Sequence, residues 1–258
     1  MLNESEQYKE RSLTIVLLDL VNSTGFVEVA GAQRAARWFQ YHDRLARSLL
    51  YRFSGREIDR SDGFLFTFDR VFDALNFSLY YQQTVPQKTR IKARIGIHYG
   101  CVVEVHQHEL LVLVGAKPVE VEGLSKNIAA RTMSLAQPDQ VLMTKPAFER
   151  VKNRFDAMTP KGTRYACVGL YRYQGVKEAQ VVYAVGSDIK TLQPPPSTAK
   201  VKRLGGPKRV KSRMRHKTFL EWAEFILLFL FWLALGYLVA HMWPYIKFKF
   251  WEWWNEQR

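Results

Sequence analysis

Along the chain, apolar positions recur with two different periods, and the periods take turns. Residues 13–21, LTIVLLDLV, make a β-branched apolar run of the kind that forms a buried strand, and NSTGF follows it with Asn22, Ser23 and Thr24, residue types that open helices. Helical spacing holds over 30–53 and again over 70–84. Between them lie GREID, a turn, and GFLFTF, a strand. A longer strand is predicted over 92–105, KARIGIHYGCVVEV, then a helix over 122–136, a short strand at QVLMT and a short helix at AFERVKNR. LYRYQG and AQVVYAV read as a closing hairpin. Interleaved strands and helices of this kind predict an α+β or α/β sandwich with a mostly antiparallel sheet over residues 1–186.

After residue 186 the pattern changes. Residues 187–217 contain PPPS and LGGP and no apolar periodicity, which reads as a linker. From Phe225 to Ala240 the sequence is apolar on every face, and with its flanks the stretch 218–246 approaches the roughly 20 residues that a bilayer requires. One transmembrane helix is expected there, with Trp222, Trp243 and Tyr245 at the interfaces and a short aromatic tail, 247–258, beyond it.

Composition adds location rather than class. Apolar residues at 47% and charged residues at 24% exclude disorder, so most of the 258 residues should fold. The net charge of +14 is concentrated: residues 200–217 carry nine Lys or Arg and no acid, directly before the apolar run. That placement points to a membrane surface rather than to nucleic acid, and by charge asymmetry it sets the N-terminal domain on the cytoplasmic side of an inner membrane, crossed once. Two cysteines, Cys101 and Cys167, make no disulfide framework, and the polar, acidic start has no secretory leader character.

The chemistry is carried by acids in a strand context. Asp19 stands near the end of the first strand, and Asp59 and Asp62 flank the turn into GFLFTF. Singly, Asp19 suits a cap and Asp62 a turn residue before Gly63. Asn127 and Arg131, four apart in NIAAR, share one face of a helix. His106 and His108 leave a zinc site conceivable, and His98 reads as structural.

Five segments in order, TIVLLDLVNSTGF, GREIDRSDGFLFTF, RIGIHYG, EGLSKNIAARTMSLAQPDQVLMT and YRYQGVKEAQVVYAV, resemble the motifs of the class III nucleotidyl cyclase domain. The resemblance implies a ferredoxin-like βαββαβ arrangement. It also implies conversion of a nucleoside triphosphate to a 3′,5′-cyclic nucleotide and diphosphate, using two divalent ions, Mg²⁺ or Mn²⁺. On this reading Asp19, Asp62 and the carbonyl of Leu20 are the metal ligands. Asn127 holds the ribose and Arg131 the phosphate. Each site is shared across a homodimer.

The pattern departs from the adenylate-specific members at the base. Their lysine before the second metal aspartate falls here on Ile58 or on Asp59, according to the length allowed for the turn, and their later Asp or Thr falls on Glu120. Gln174 likewise replaces a frequent lysine. Ionised Asp59 and Glu120 accept hydrogen bonds, which suits cytosine N4, uracil N3 or guanine N1 and N2. The compact chain resembles bacterial antiphage pyrimidine cyclases of the Pycsar type, which implies cyclic UMP or cyclic CMP and a downstream effector that binds it. An adenylate cyclase and a non-catalytic nucleotide-binding scaffold at the membrane are the alternatives.

Overall fold

Strand β1 (Tyr8–Leu20) organises the domain because its two faces are both apolar, so it must be covered on both sides. The computed structural model describes residues 7–61, 63–207 and 219–256, with backbone alone for 219–229, 236, 239, 246, 248, 249, 252, 255 and 256. It divides into two units, Met1–Val210 and Lys211–Arg258.

In the first unit β1 is followed by helices α1 (Ser23–Ala30) and α2 (Ala32–Arg52), then by the hairpin β2 (Arg56–Arg60) and β3 (Gly63–Phe68). Helix α3 (Val71–Thr89) leads to β4 (Ala93–His106), the short helix α4 (Glu109–Leu113) and β5 (Val119–Glu122). Helix α5 (Leu124–Leu135), β6 (Val141–Thr144), α6 (Lys145–Val151), a single 3₁₀ turn and α7 (Phe155–Met158) follow, and β7 (Arg164–Tyr173), β8 (Gln180–Gly186) and β9 (Val201–Gly205) close the unit. The sheet runs β2-β3-β1-β4-β6-β8-β7-β9, with β5 also paired to β4. Only β4 and β6 run parallel among the described pairs, as expected for a mostly antiparallel sheet.

Period-2 alternation sorts β1 between two cores. Val16, Leu18 and Leu20 join Phe64, Phe66 and Phe68 of β3 in the larger core, which α2, α3 and α6 seal with Leu50, Phe77 and Phe148 among others. Aromatic rings dominate it: Phe66 stacks on Phe64 at 4.8 Å and meets Phe77 edge-on at 5.2 Å. The opposite face carries Leu13 and Ile15 with Val102, Val121 and Ala129 of α5, while Leu17, Ile58 and Leu65 stay half-buried at its margin. This face is only partly roofed.

Close approach of α5 to β4 depends on Gly96. A Cβ there would sit 2.2 Å from the Met133 nitrogen, so any larger residue would push the helix off the strand.

Part of the stretch 187–217, read from the sequence as a linker, is built into the first unit. Val201–Gly205 adds to the sheet edge as β9, paired antiparallel with β7, and Leu192 and Val201 are buried beside Tyr171 and Tyr173. Tyr171 donates its hydroxyl to the Pro195 carbonyl at 3.1 Å, and Gln140 donates to the carbonyls of Thr191 and Gln193, each at 2.8 Å. Backbone groups, rather than a run of apolar side chains, hold the segment, which is why no periodicity announced it.

The second unit contains helix α8 (Phe219–Glu256). Among the described residues no helix is long and apolar enough to cross a membrane. Much of the predicted span, including the side chain of Trp222, lies outside the described side chains, as do residues 208–218 with most of the basic cluster.

Candidate active site

Asp19 is the penultimate residue of β1, on the Leu13–Ile15–Leu17 side of the strand by alternation, and thus on the partly roofed face. The two neighbouring strands bring Gly63 of β3 and Arg94 of β4 opposite it. Gly63 fits because a Cβ would lie 2.1 Å from the Leu18 carbonyl oxygen. Asp62, which precedes it, lies outside the described residues. Leu20 ends the strand with its side chain in the larger core, so its part in any metal site would be through main-chain oxygen alone.

Arg94 was not anticipated from the sequence. Its Nε–H donates to Asp19 Oδ2 at 2.8 Å and its Nη2 lies 2.6 Å from the same oxygen. The hard carboxylate and carbonyl oxygens at this strand end suit Mg²⁺ or Mn²⁺, with the Arg94 guanidinium sharing the Asp19 carboxylate. Among the described residues no three His, Cys, Asp or Glu side chains gather as a metal cluster. That includes His106 and His108: β4 ends at His106, and His108 instead accepts the Leu110 N–H at the start of α4, 3.3 Å away.

The hairpin carrying this turn is braced from behind. Arg60 donates to Asp43 Oδ2 at 3.0 Å and to the Ser61 carbonyl, and lies over the Phe64 ring at 4.8 Å. Asp43 also meets His42 Nδ1 at 2.9 Å, and the other nitrogen of the fully buried His42 meets the Tyr81 hydroxyl at 2.5 Å. Burial pushes the Asp43 carboxyl up, but hydrogen bonds from His42 and Arg60 outweigh it and hold the group below its ordinary value. An ionised Asp43 only accepts, so His42 donates to it through Nδ1–H. Arg60 is thereby tied to helix α2.

Asn127 and Arg131 project from α5, whose buried stripe is Ser125, Ile128, Ala129, Thr132 and Leu135. Asn127 is exposed and Arg131 half-buried, the latter donating its Nε–H to the Gln174 carbonyl at 3.5 Å. Among the described residues no hydrogen bond or ion pair joins Asp19 to either. Within one protomer the acidic strand end and the polar helix face remain separate groups.

Ile58, Asp59 and Glu120 do come together, although 61 and more residues separate the β2 pair from β5. They line one cavity of about 140 Å³ with Leu65, Val121, Glu122, Lys117 and Lys126. The sequence ambiguity between Ile58 and Asp59 has a structural cause. The β2–β3 register shifts between Glu57 and Asp59, so Ile58 is the extra residue of a bulge. Lys117, on the loop before β5, reaches the Asp59 carboxylate across the cavity. Nothing in the local sequence marks that lysine; only the pairing of β5 with β4 delivers it.

His98 is structural, as expected. It is buried, meets the Thr144 hydroxyl at 2.7 Å, and burial lowers its pKa to about 4.

Among solved structures, the adenylyl cyclase CyaB from P. aeruginosa superposes with a TM-score of 0.60 at 14% identity, over 69% of this chain and 95% of that one. This is the fold of a nucleotidyl cyclase catalytic domain. The catalytic core of a rhodopsin-guanylyl cyclase with converted specificity, in complex with ATPαS, gives 0.60 at 17% identity over 70% and 99% of the two chains. An adenylate cyclase from Trypanosoma brucei, solved in its monomeric state, gives 0.56 at 20% over 80% and 97%. No protein-family model matches the sequence, and no curated protein does. The likeness is thus one of fold.

Proposed function

We propose that this protein is a nucleotidyl cyclase that acts as a homodimer, converting a nucleoside triphosphate to its 3′,5′-cyclic nucleotide and diphosphate. The observation that carries the reading is the division of one sheet face: Asp19 stands at the end of β1 and Asn127 with Arg131 on the outer side of α5, all facing away from the larger core. A twofold-related copy would bring the acids of one chain to the amide and guanidinium of the other.

In the reaction the ribose 3′-oxygen bonds to the α-phosphorus and the bond to the β-phosphate oxygen breaks, with diphosphate leaving and the hydroxyl proton passing to solvent. Asp19, the Leu20 carbonyl and Asp62 would hold divalent ions, which neutralise phosphate charge and favour the alkoxide. Asn127 would orient the ribose. Arg131, steadied by the Gln174 carbonyl, would donate to the α-phosphate as negative charge accumulates.

The substrate we favour is a pyrimidine triphosphate, cytidine or uridine, because Asp59 stands where an adenine-reading lysine would and Glu120 adds a second acceptor in the same small cavity. We further propose that the C-terminal helix anchors the enzyme to the inner membrane with this domain on the cytoplasmic side, and that the product signals to a cyclic-nucleotide-binding effector in antiphage defence.

The test is co-expression of two full-length variants, Asp19→Ala and Arg131→Ala, each assayed alone and mixed, with Mn²⁺ and each of four triphosphates. Each alone should be inactive, and the mixture should recover about a quarter of wild-type activity, because half the dimers are mixed and keep one intact site. Wild-type dimer that yields no cyclic product from any triphosphate would leave only a scaffold.

A further inference from the structure

The cavity that gathers Ile58, Asp59 and Glu120 also holds a cation that the sequence alignment misses. Lys117 approaches from the loop before β5 and pairs with Asp59, 58 residues away in sequence. The two side chains are 49% and 35% exposed, and an ion pair this open contributes little to stability. Its placement has another consequence. Glu120 lines the same cavity with Ile58, Leu65 and Val121 and accepts from the Gln107 amide at 3.5 Å, and Lys126 is engaged by Glu122 at 2.6 Å. Lys117 is therefore a donor set beside two carboxylate acceptors in a cavity whose lining is partly apolar.

We infer that Lys117 is a specificity-determining residue, the ammonium that reads the nucleobase, supplied from the β5 side and paired with an acid on β2. This rests on the cyclase reading above and sharpens its substrate. With Lys126 and Glu122 paired to each other, the groups left to a base are Lys117, Asp59 and Glu120, which suit a base edge that offers one ring acceptor beside an amino group with two hydrogens. Among pyrimidines that is cytosine: Lys117 donates to N3, and Asp59 and Glu120 each accept one hydrogen from N4. Uracil, with one N–H between two carbonyls, leaves a carboxylate without a donor, and a desolvated polar group without a partner costs selectivity. CTP should be cyclised in preference to UTP.

The experiment compares full-length wild type with Lys117→Met, Asp59→Asn and the double variant, in detergent with Mn²⁺, for CTP, UTP, ATP and GTP. Methionine keeps the length of the stem and removes the charge. We expect Lys117→Met to raise KM for CTP about tenfold with kcat within about threefold, and to erase most of the CTP over UTP preference. The melting temperature should stay within about 2 °C of wild type, as for an exposed pair. The double variant should cost less than the sum of the single ones, since each single change strands its partner's charge. An active wild type whose preference and KM are unmoved by Lys117→Met overturns this inference and leaves the cyclase reading standing, as does a wild type that prefers UTP to CTP. A wild type that makes no cyclic product overturns the cyclase reading and takes this inference with it.

Discussion

The two faces of the central sheet are built for different purposes, and β1 shows both within a few residues. On one side Val16, Leu18 and Leu20 disappear beneath α2, α3 and α6 in an aromatic core. On the other, Leu13 and Ile15 are covered by α5, yet Leu17 is only half-buried and Asp19 keeps a carboxylate at the rim. A sealed face maximises apolar area removed from water, and a partly open one keeps polar groups where a ligand or a second chain can meet them. Stability and chemistry are thus separable here. Changes on the open face should alter catalysis without unfolding the protein, and changes on the sealed face should do the reverse.

The strongest break of that contrast would come from Asp19→Ala. On the proposal that Asp19 holds a divalent ion, it should lower cyclisation about a thousandfold. Its partner Arg94 is partly exposed, so unfolding free energy should move by no more than about 1 kcal/mol. A product assay and a urea melt on the same preparation read the two quantities together, and an unfolded variant would refute the separation. The mirror experiment is Phe66→Ala in the sealed core, which should cost about 3–5 kcal/mol by urea titration while the folded fraction keeps activity within about twofold.

Gly96→Val tests the seam between the faces. Forcing α5 away from β4 should both destabilise the domain by about 2 kcal/mol and lower activity about tenfold, because Asn127 and Arg131 ride on the displaced helix. Retained activity with lost stability would place the catalytic groups elsewhere.

A last effect concerns pH and leaves chemistry untouched. His98 has its folded pKa lowered to about 4 by burial, so the unfolded chain takes up a proton near pH 6.5 while the folded chain does not. Its contribution to stability is complete above pH 6.5 and is lost progressively as pH falls from there toward about 4, with a slope of at most about 1.4 kcal/mol per pH unit. Urea midpoints for wild type and His98→Gln, measured at several values across that window, should converge as the solution is acidified. Parallel curves would show that His98 is not the group responsible.

Much of the architecture was legible because period decides secondary structure before any tertiary contact exists. LTIVLLDLV, GFLFTF and the helix predicted over 30–53 fell where apolar spacing put them, the helix predicted over 70–84 runs on to Thr89, and the mostly antiparallel sheet followed from their order. The elements that escaped are short or held by main-chain bonds. β5 has four residues and α4 five, β2 occupies Arg56–Arg60 where GREID was read as a turn, and β9 sits in a stretch whose backbone pairs with β7 although few of its side chains are buried. The candidate site divides the same way. Asp19, Asn127 and Arg131 could be found because strand ends and i,i+4 spacing are local properties, whereas Arg94 against Asp19 and Arg60 against Asp43 could not, because each pair joins separate elements.

By itself, the sequence determined which segments are strands and helices and which residue types stand at their ends, since these depend on neighbours a few positions away. The tertiary structure alone decided that a bulge at Ile58 turns two candidate positions into one cavity wall, and that Lys117 meets that wall from the loop before β5. Charge pairing across the sheet depends on register, and register is set by the packing of the whole core rather than by any stretch of chain that can be read in isolation.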